Sequence, residues 1–316
     1  MITGWGLPPP YRGELGYGTL SRFLARWGHL DHKLMMQQAG GQHVNSLHPM
    51  TVPRLANIAR ACLPHEVDCV GQFIHLHTLL PYATAFDDAA SRRMVRELIQ
   101  AGDSCAAERQ VYPSRYLTMF PQTLRLCPDC YLEDIRQVGE PYWHRVHQLP
   151  GVFHCVRHRG LLHSTGVAFA IDPGLRAQTP QQAACSFDHK SAVEPTITRA
   201  LESLLLRPTL DAAAHRLEGN APPMGSTLGY RSALAEVGYK GRGTELRTSR
   251  FESDFSKWMG LHGSQTASFG TGPWWRPLIS GVAGRPTTLQ HLLMISFIIS
   301  TRRRQWRQPT TRHTDG

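Results

Sequence analysis

CPDCYLEDIRQVGEPYWHRVHQLPGVFHCVRHRGLL, residues 127–162, holds a Cys-x-x-Cys pair, Cys127 and Cys130, and 24 residues later a Cys-x-x-His pair, Cys155 and His158. Each pair can wrap a tight turn around one ion, with sulfurs at about 2.3 Å and an imidazole nitrogen at about 2.0–2.1 Å, completing a tetrahedron. These four residues are the candidate metal ligands, and Zn2+ is the expected occupant because soft thiolates joined by imidazole favour it. Four protein ligands leave no open position, so the centre is expected to hold a surface in place and not to activate water. The loop between the pairs exceeds the common spacers, which leaves His154 and His163 as alternatives for the fourth position. A redox dithiol would need a thioredoxin-like βαβ pattern, which the surrounding residues do not show.

Inside the loop, Tyr142, Trp143, His144, Arg145 and His147 alternate aromatic and basic character. On a metal-held knuckle such residues can meet phosphates and bases, so Arg145 and His147, with Arg157 and Arg159 beside the second ligand pair, are candidate DNA contacts. Trp143 reads equally well as packing for a miniature core.

Upstream, YGTLSRFLARW (17–27) places Leu20, Phe23, Leu24 and Trp27 at helical i, i+3, i+4, i+7 spacing, with Arg22 and Arg26 on the opposite face. A second short helix is expected over 31–38, capped by Asp31. A third opens at Thr51-Val52-Pro53, with Leu55, Ile58 and Ala59 inward and Arg54 and Arg60 outward. Three helices in tandem permit a helix-turn-helix without establishing one. Residues 72–80 and 87–101 continue the helical pattern, the latter entering through Asp87-Asp88 at its positive end. His75 and His77, two apart on a helix, point away from each other and read as satisfied or surface histidines.

Downstream, 171–182 is rich in Pro, Gly and Gln and reads as a linker. Residues 196–206 resume a helix with Ile197, Leu201, Leu204 and Leu205 on one face, and Ala221-Pro222-Pro223-Met224-Gly225 breaks the chain again. Beyond it, 230–237, then Gly238, a basic turn with Lys240 and Arg242, and 248–259 give helix, turn and helix, with Arg247 and Arg250 near the second start. Recognition helices present their N-terminal residues to base edges, so Lys240, Arg242, Arg247 and Arg250 complete the candidate DNA contacts. Residues 274–299 offer a further apolar helix pair, and Arg302-Arg303-Arg304 with Arg307 form a basic tail.

The expected fold class is mainly α. It comprises a helical N-terminal domain with helix-turn-helix character (1–125), an embedded zinc finger (126–165), a linker and helix (166–225), and a helical C-terminal domain with the second helix-turn-helix candidate (226–316).

The net charge of +10 is unevenly spread: residues 1–60 carry six Lys/Arg against two Asp/Glu, 61–220 carry 15 against 17, and 221–316 carry 13 against five. Basic ends around a neutral middle suit a polyanion, and double-stranded DNA is the expected partner. No apolar run reaches the roughly 18 residues that span a bilayer. With no secretory signal, and an odd count of seven cysteines that includes a metal-like subset, a cytoplasmic protein without membrane contact is expected. There is no phosphate-binding GxxxxGK[ST] loop, no HExxH and no dinucleotide fingerprint. Asp87, Asp88 and Asp134 read as caps or dipole partners, not as Mg2+ ligands. The expected protein is therefore not an enzyme.

The 127–162 stretch resembles the TniQ/TnsD family of transposon target-selection proteins. LPPPYRGELGYGTLSRFLAR (7–26) and HTLLPYATAF (77–86) are similar to the same family's N-terminal domain, so the resemblance covers about residues 7–165. GYRSALAEVGY (229–239) and WWRPLISGVAGRPTTLQHLLMISFI (274–298) resemble the TnsD-type continuation, with Trp274, His291, Leu292 and Leu293 in recurring positions. The resemblance implies a nonenzymatic adaptor that recognises a DNA attachment site and recruits a TnsC-like AAA+ ATPase, the regulator of the transposase. The alternative it implies is a TniQ-type adaptor that bridges an RNA-guided CRISPR effector complex to that ATPase, with little DNA specificity of its own. In either case it implies Cys127, Cys130, Cys155 and His158 as zinc ligands.

Overall fold

The computed structural model describes residues 7–27, 55–111, 120–168, 177–183, 192–214, 226–243, 245–263, 273–282 and 284–307. The expected helix over 31–38 lies outside them. The chain is mainly helical, as the sequence predicts, and divides into two compact units. The first holds Met1–Pro195 and Thr209–Arg216, the second Thr196–Pro208 and Leu217–Gly316.

The first unit opens with α1 (Gly16–Arg26), which buries Tyr17, Leu20, Phe23 and Leu24. Its two early glycines are there for close approach: a Cβ on Gly16 would stand 2.7 Å from the Phe73 ring, and one on Gly18 2.9 Å from the Glu14 carboxylate. Helix α2 (Leu55–Cys62) turns Leu55, Ile58 and Ala59 inward and Arg60 outward, as its periodicity predicts. Helix α3 (Cys69–His77) is capped by Asp68, and the single turn α4 (Leu80–Ala83) follows. Helix α5 (Ala89–Gln100) starts where Asp88 accepts from the Ser91 amide, the cap expected of that carboxylate. His77 is buried, with Nδ1 2.9 Å from the Glu14 carbonyl, and burial pushes its pKa down, so it is a satisfied neutral histidine. After α6 (Ser104–Val111) come strand β1 (Thr123–Leu126), helix α7 (Pro128–Val138), a 3-10 turn (Arg145–Gln148) and strand β2 (His163–Ala168).

Arg22 does not share the solvent face with Arg26. It is 2% exposed, and its guanidinium grips the buried Glu14 carboxylate through two bonds, Nε–Oε1 at 2.9 Å and Nη2–Oε2 at 2.7 Å. Glu140 Oε1 accepts a third bond at 3.0 Å, and the Tyr11 ring covers the guanidinium at 4.1 Å. The ion pair overrides the helical pattern because its partners come from the preceding turn and from residue 140, which periodicity cannot see.

Part of the expected linker is packed structure. Ala177 and Thr179 are buried, Trp143 donates from Nε1 to the Gln178 carbonyl at 2.8 Å, and Pro180–Ala183 form the short α8. Trp143 is thus a core residue, fully buried.

Helix α9 (Arg199–Ala213) carries Pro208 inside it, and the two units part there. Ile197, Leu201 and Leu205 are buried as their spacing predicts. In the second unit, α10 (Thr227–Leu234) runs into a wide turn over Ala235–Tyr239, where Gly238 takes φ 92. Helix α11 (Thr248–His262), α12 (Arg276–Ser280) and α13 (Thr288–Arg307) follow. The expected helix, glycine turn and helix are present. Their connection is longer than the 3–4 residues usual in helix-turn-helix units, because Lys240 and Leu246 pair and close a small loop. Phe251, Phe255, Trp258 and Phe297 form the core, with Phe255 edge-on to Phe297 at 5.1 Å between centroids. Arg302, Arg303 and Arg304 extend α13 as exposed helical residues and do not form a separate tail. Among the described residues no helix is long and apolar enough to cross a membrane.

Candidate metal centre

Strands β1 and β2 pair antiparallel, with Leu126 opposite His163 and Arg125 opposite Ser164. This register matters because the residue after β1 is Cys127 and the residues before β2 carry Cys155 and His158. The hairpin therefore closes the long loop and sets one ligand pair against the other. Buried Arg125 fastens it by donating to the carbonyls of Val152 at 2.7 Å and Leu149 at 3.0 Å. Gln148 pairs with the Arg125 backbone in both directions, accepting from its amide and donating to its carbonyl.

Each ligand pair sits in a local structure that its sequence favours. Cys127 is the N-cap of α7, Pro128 opens the helix, where its missing N–H costs nothing, and Cys130 lies one turn in. Around the second pair, the Arg159 amide bonds the Cys155 carbonyl at 2.8 Å, and the Cys155 amide bonds the Gly160 carbonyl at 2.8 Å. That turn forces Arg159 to φ 61. The His158 amide also points at Cys155 Sγ, 3.4 Å away.

The donor atoms of Cys127, Cys130, Cys155 and His158 lie within 4.8 Å of one another, with the three cysteines buried. His158 Nδ1 is 3.6 Å from Cys127 Sγ, 3.3 Å from Cys130 Sγ and 3.7 Å from Cys155 Sγ, while Cys130 and Cys155 sulfurs are 3.6 Å apart. A tetrahedron with ordinary zinc bond lengths has sulfur–sulfur edges of about 3.8 Å and sulfur–nitrogen edges of about 3.6 Å. The donor set thus has the shape of a closed four-coordinate cage that can hold a metal ion. His154 pairs with Leu161 as an isolated bridge, and His163 lies in β2, so neither joins the cluster.

The three thiols compete for charge, and with no cation among them it gathers on one sulfur. Cys130 is pushed far above the usual thiol range by Cys127 and Cys155, and Cys155 is held far below it by bonds from Cys127 and Cys130. Three thiolates at this separation cannot all be ionised unless a positive charge sits among them.

Around the cage are residues that ligand spacing did not reveal. The far nitrogen of His158, Nε2, is 3.4 Å from Glu133 Oε2, and Arg157 grips the other Glu133 oxygen at 2.5 Å. His147 is buried beneath, with Nε2 3.9 Å from Cys130 Sγ. Next to it His144 pairs with the buried Asp134, Nε2 to Oδ2 at 2.8 Å. Asp134 is therefore a mid-helix partner of a histidine and not a helix-start cap. The three-residue step from His144 to His147 was the one sequence signal for this group; Glu133 and Asp134 carried none.

The eight candidate DNA contacts separate by exposure. Arg157, Arg159, Lys240, Arg242, Arg247 and Arg250 reach solvent. Two stand apart. Arg145 donates to the carbonyls of His75 and Thr78, and has its pKa pushed down to about 10 by burial. His147 is 1% exposed beneath the cage. His147 therefore offers no charge to a polyanion, whereas the half-buried Arg145 keeps its charge and directs its donors into the loop.

Comparison with known proteins covers the same stretch of chain. The TniQ family model matches residues 7–162, from the Arg22–Glu14 segment through the complete cage. The transposon Tn7 transposition protein TnsD of Escherichia coli is 26% identical over 156 residues, which span 49% of this chain and 30% of that relative.

Proposed function

The chain belongs to the TniQ family through residues 7–162, and from that premise we propose that it is a non-catalytic target-selecting adaptor of a Tn7-like transposition system. The observation that supports this reading is the family match over residues 7–162, a stretch that includes the four cage residues. In this reading zinc occupies Cys127, Cys130, Cys155 and His158 and contributes folding energy to the hairpin, without activating a substrate. Duplex DNA is gripped by Arg157 and Arg159 beside the cage, and by Lys240, Arg242, Arg247 and Arg250 around the start of α11. Arg250 leaves much of its charge for phosphate, since it is 61% exposed and only 3.8 Å Nε to Oδ2 from Asp254. Helices α10 and α11 act as a helix-turn-helix with an enlarged connection, and the N-terminal unit recruits a AAA+ ATPase regulator of the transposase.

Gel shifts of the whole chain on candidate attachment sites and on bulk duplex, over a salt series, test the DNA part. Preference for one site, with steep weakening by salt, supports it. Replacing Arg250 by Ala should lower the salt slope by about one counterion. Uniform weak binding to every duplex, together with co-purification on an RNA-guided effector, would transfer target choice to that effector and overturn direct site reading.

A further inference from the structure

Helices α3, α4 and α5 line an open cavity of about 390 Å³ that has no part in the cage or the candidate DNA contacts. Its apolar wall is built by Ile74, Leu80, Val95 and Ile99, and its mouth by Arg92, Arg93 and Arg96 from one stretch of α5. No aspartate or glutamate lines it. The volume falls within the range in which proteins hold ligands.

The cationic mouth is fixed in place. Arg96 is gripped by Asp68, which also caps α3 by accepting from the Gly71 amide at 3.0 Å. Gly71 makes this possible, because a Cβ there would come within 2.8 Å of the Arg96 guanidinium and closer still to Asp68. Arg92 Nη1 donates to the Asp87 carbonyl at 2.7 Å. Arg93 is exposed, and among the described residues it has no ionic partner. One ion-paired guanidinium, one held by a carbonyl and one available, that of Arg93, stand around an apolar floor.

We propose that this cavity docks an acidic, amphipathic segment of a partner protein, with an apolar side chain against Leu80, Val95 and Ile99 and flanking carboxylates on the arginines. Charge complementarity selects carboxylates, and the apolar floor selects a protein over a nucleic acid, whose sugar-phosphate backbone has nothing to place in such a hollow. The proposal adds the chemistry of one partner to the adaptor reading and rests on that reading only for the partner's role. The cavity itself needs neither metal nor DNA.

A random-peptide phage library selected on the whole chain, with counter-selection on an Arg93→Glu variant, tests it. Enrichment of peptides with Asp or Glu beside a large apolar residue is expected. Synthetic versions should bind about tenfold more weakly to Arg93→Glu, and more weakly to Ile74→Ala, while Arg93→Lys keeps most of the affinity. Arg93 is exposed, so its variants should melt like the parent protein. Absence of enrichment, enriched peptides without acidic residues, or equal binding by Arg93→Glu would overturn the proposal. So would displacement of the peptides by duplex DNA that depends on Arg93, which would assign the mouth to phosphates. Gel shifts and metal content are separate readouts, so failure here is distinguishable from failure of the adaptor reading.

Discussion

Glu133 faces His158 on the side turned away from the sulfurs, Oε2 to Nε2 at 3.4 Å, while Arg157 holds its other oxygen. The two atoms approach without a hydrogen bond between them, and a small closure of that gap on metal binding would fix the tautomer and orientation of a ligating histidine. Replacing Glu133 by Gln should weaken metal affinity by about 10–100-fold. Competition with a chromophoric chelator measures this, and an unchanged affinity would show that Glu133 only anchors Arg157.

His147 supports the cage from below. Its Nδ1 is buried without a hydrogen-bond partner, and burial keeps the ring neutral. A bare ring nitrogen is cheaper to leave unpaired than a buried N–H, so the proton belongs on Nε2, pointing toward Cys130 Sγ. His147→Leu should release the metal roughly tenfold faster and shift the sulfur-to-metal charge-transfer band of a cobalt-substituted protein. His147→Gln, with an amide N–H near the same place, should restore both. If both variants match the parent protein, no such bond exists.

The Arg22–Glu14 pair has side chains 1% and 0% exposed. Removing one partner strands a buried charge, so Arg22→Met should cost about 3–5 kcal/mol in urea unfolding. The double variant Glu14→Leu with Arg22→Met should recover part of that loss, since no lone carboxylate then remains. Equal losses in single and double variants would mean that the pair acts only by filling space.

His291 is buried against Tyr230, its Nδ1 sharing a hydrogen bond with the Tyr230 hydroxyl at 2.8 Å, and burial pulls its pKa down to about 3. The unfolded chain takes up a proton near the ordinary histidine value while the folded one refuses it. The stability lost to this residue therefore grows as pH falls from about 6.5 toward 3. At pH 5 the expected loss relative to pH 7 is about 2 kcal/mol, and His291→Asn should remove that component. Unfolding of the two proteins at pH 7 and pH 5 decides it, and identical pH dependence would contradict it.

What the sequence disclosed and what it hid follow from contact range. The cage was legible because each ligand pair is local, with spacing dictated by one turn, and the apolar faces of α1, α2 and α9 were legible from their periodicity. Arg22 was misplaced because its partners include Glu140, 118 residues away. The burial of His147 is hidden for a related reason: aromatic and basic alternation looks the same whether a loop faces water or folds over a hairpin. The linker reading of 171–182 failed where the Gln178 carbonyl meets Trp143, a pairing that composition cannot encode.

Cys127, Cys130, Cys155 and His158 are expected to bind one structural zinc on which the first unit depends. Elemental analysis of the purified chain, with thermal melts before and after a strong chelator, tests it most directly. About one zinc per chain is expected, with loss of the cooperative melt of the first unit on chelation, restored by added zinc. A metal-free protein whose melt is indifferent to the chelator would contradict it.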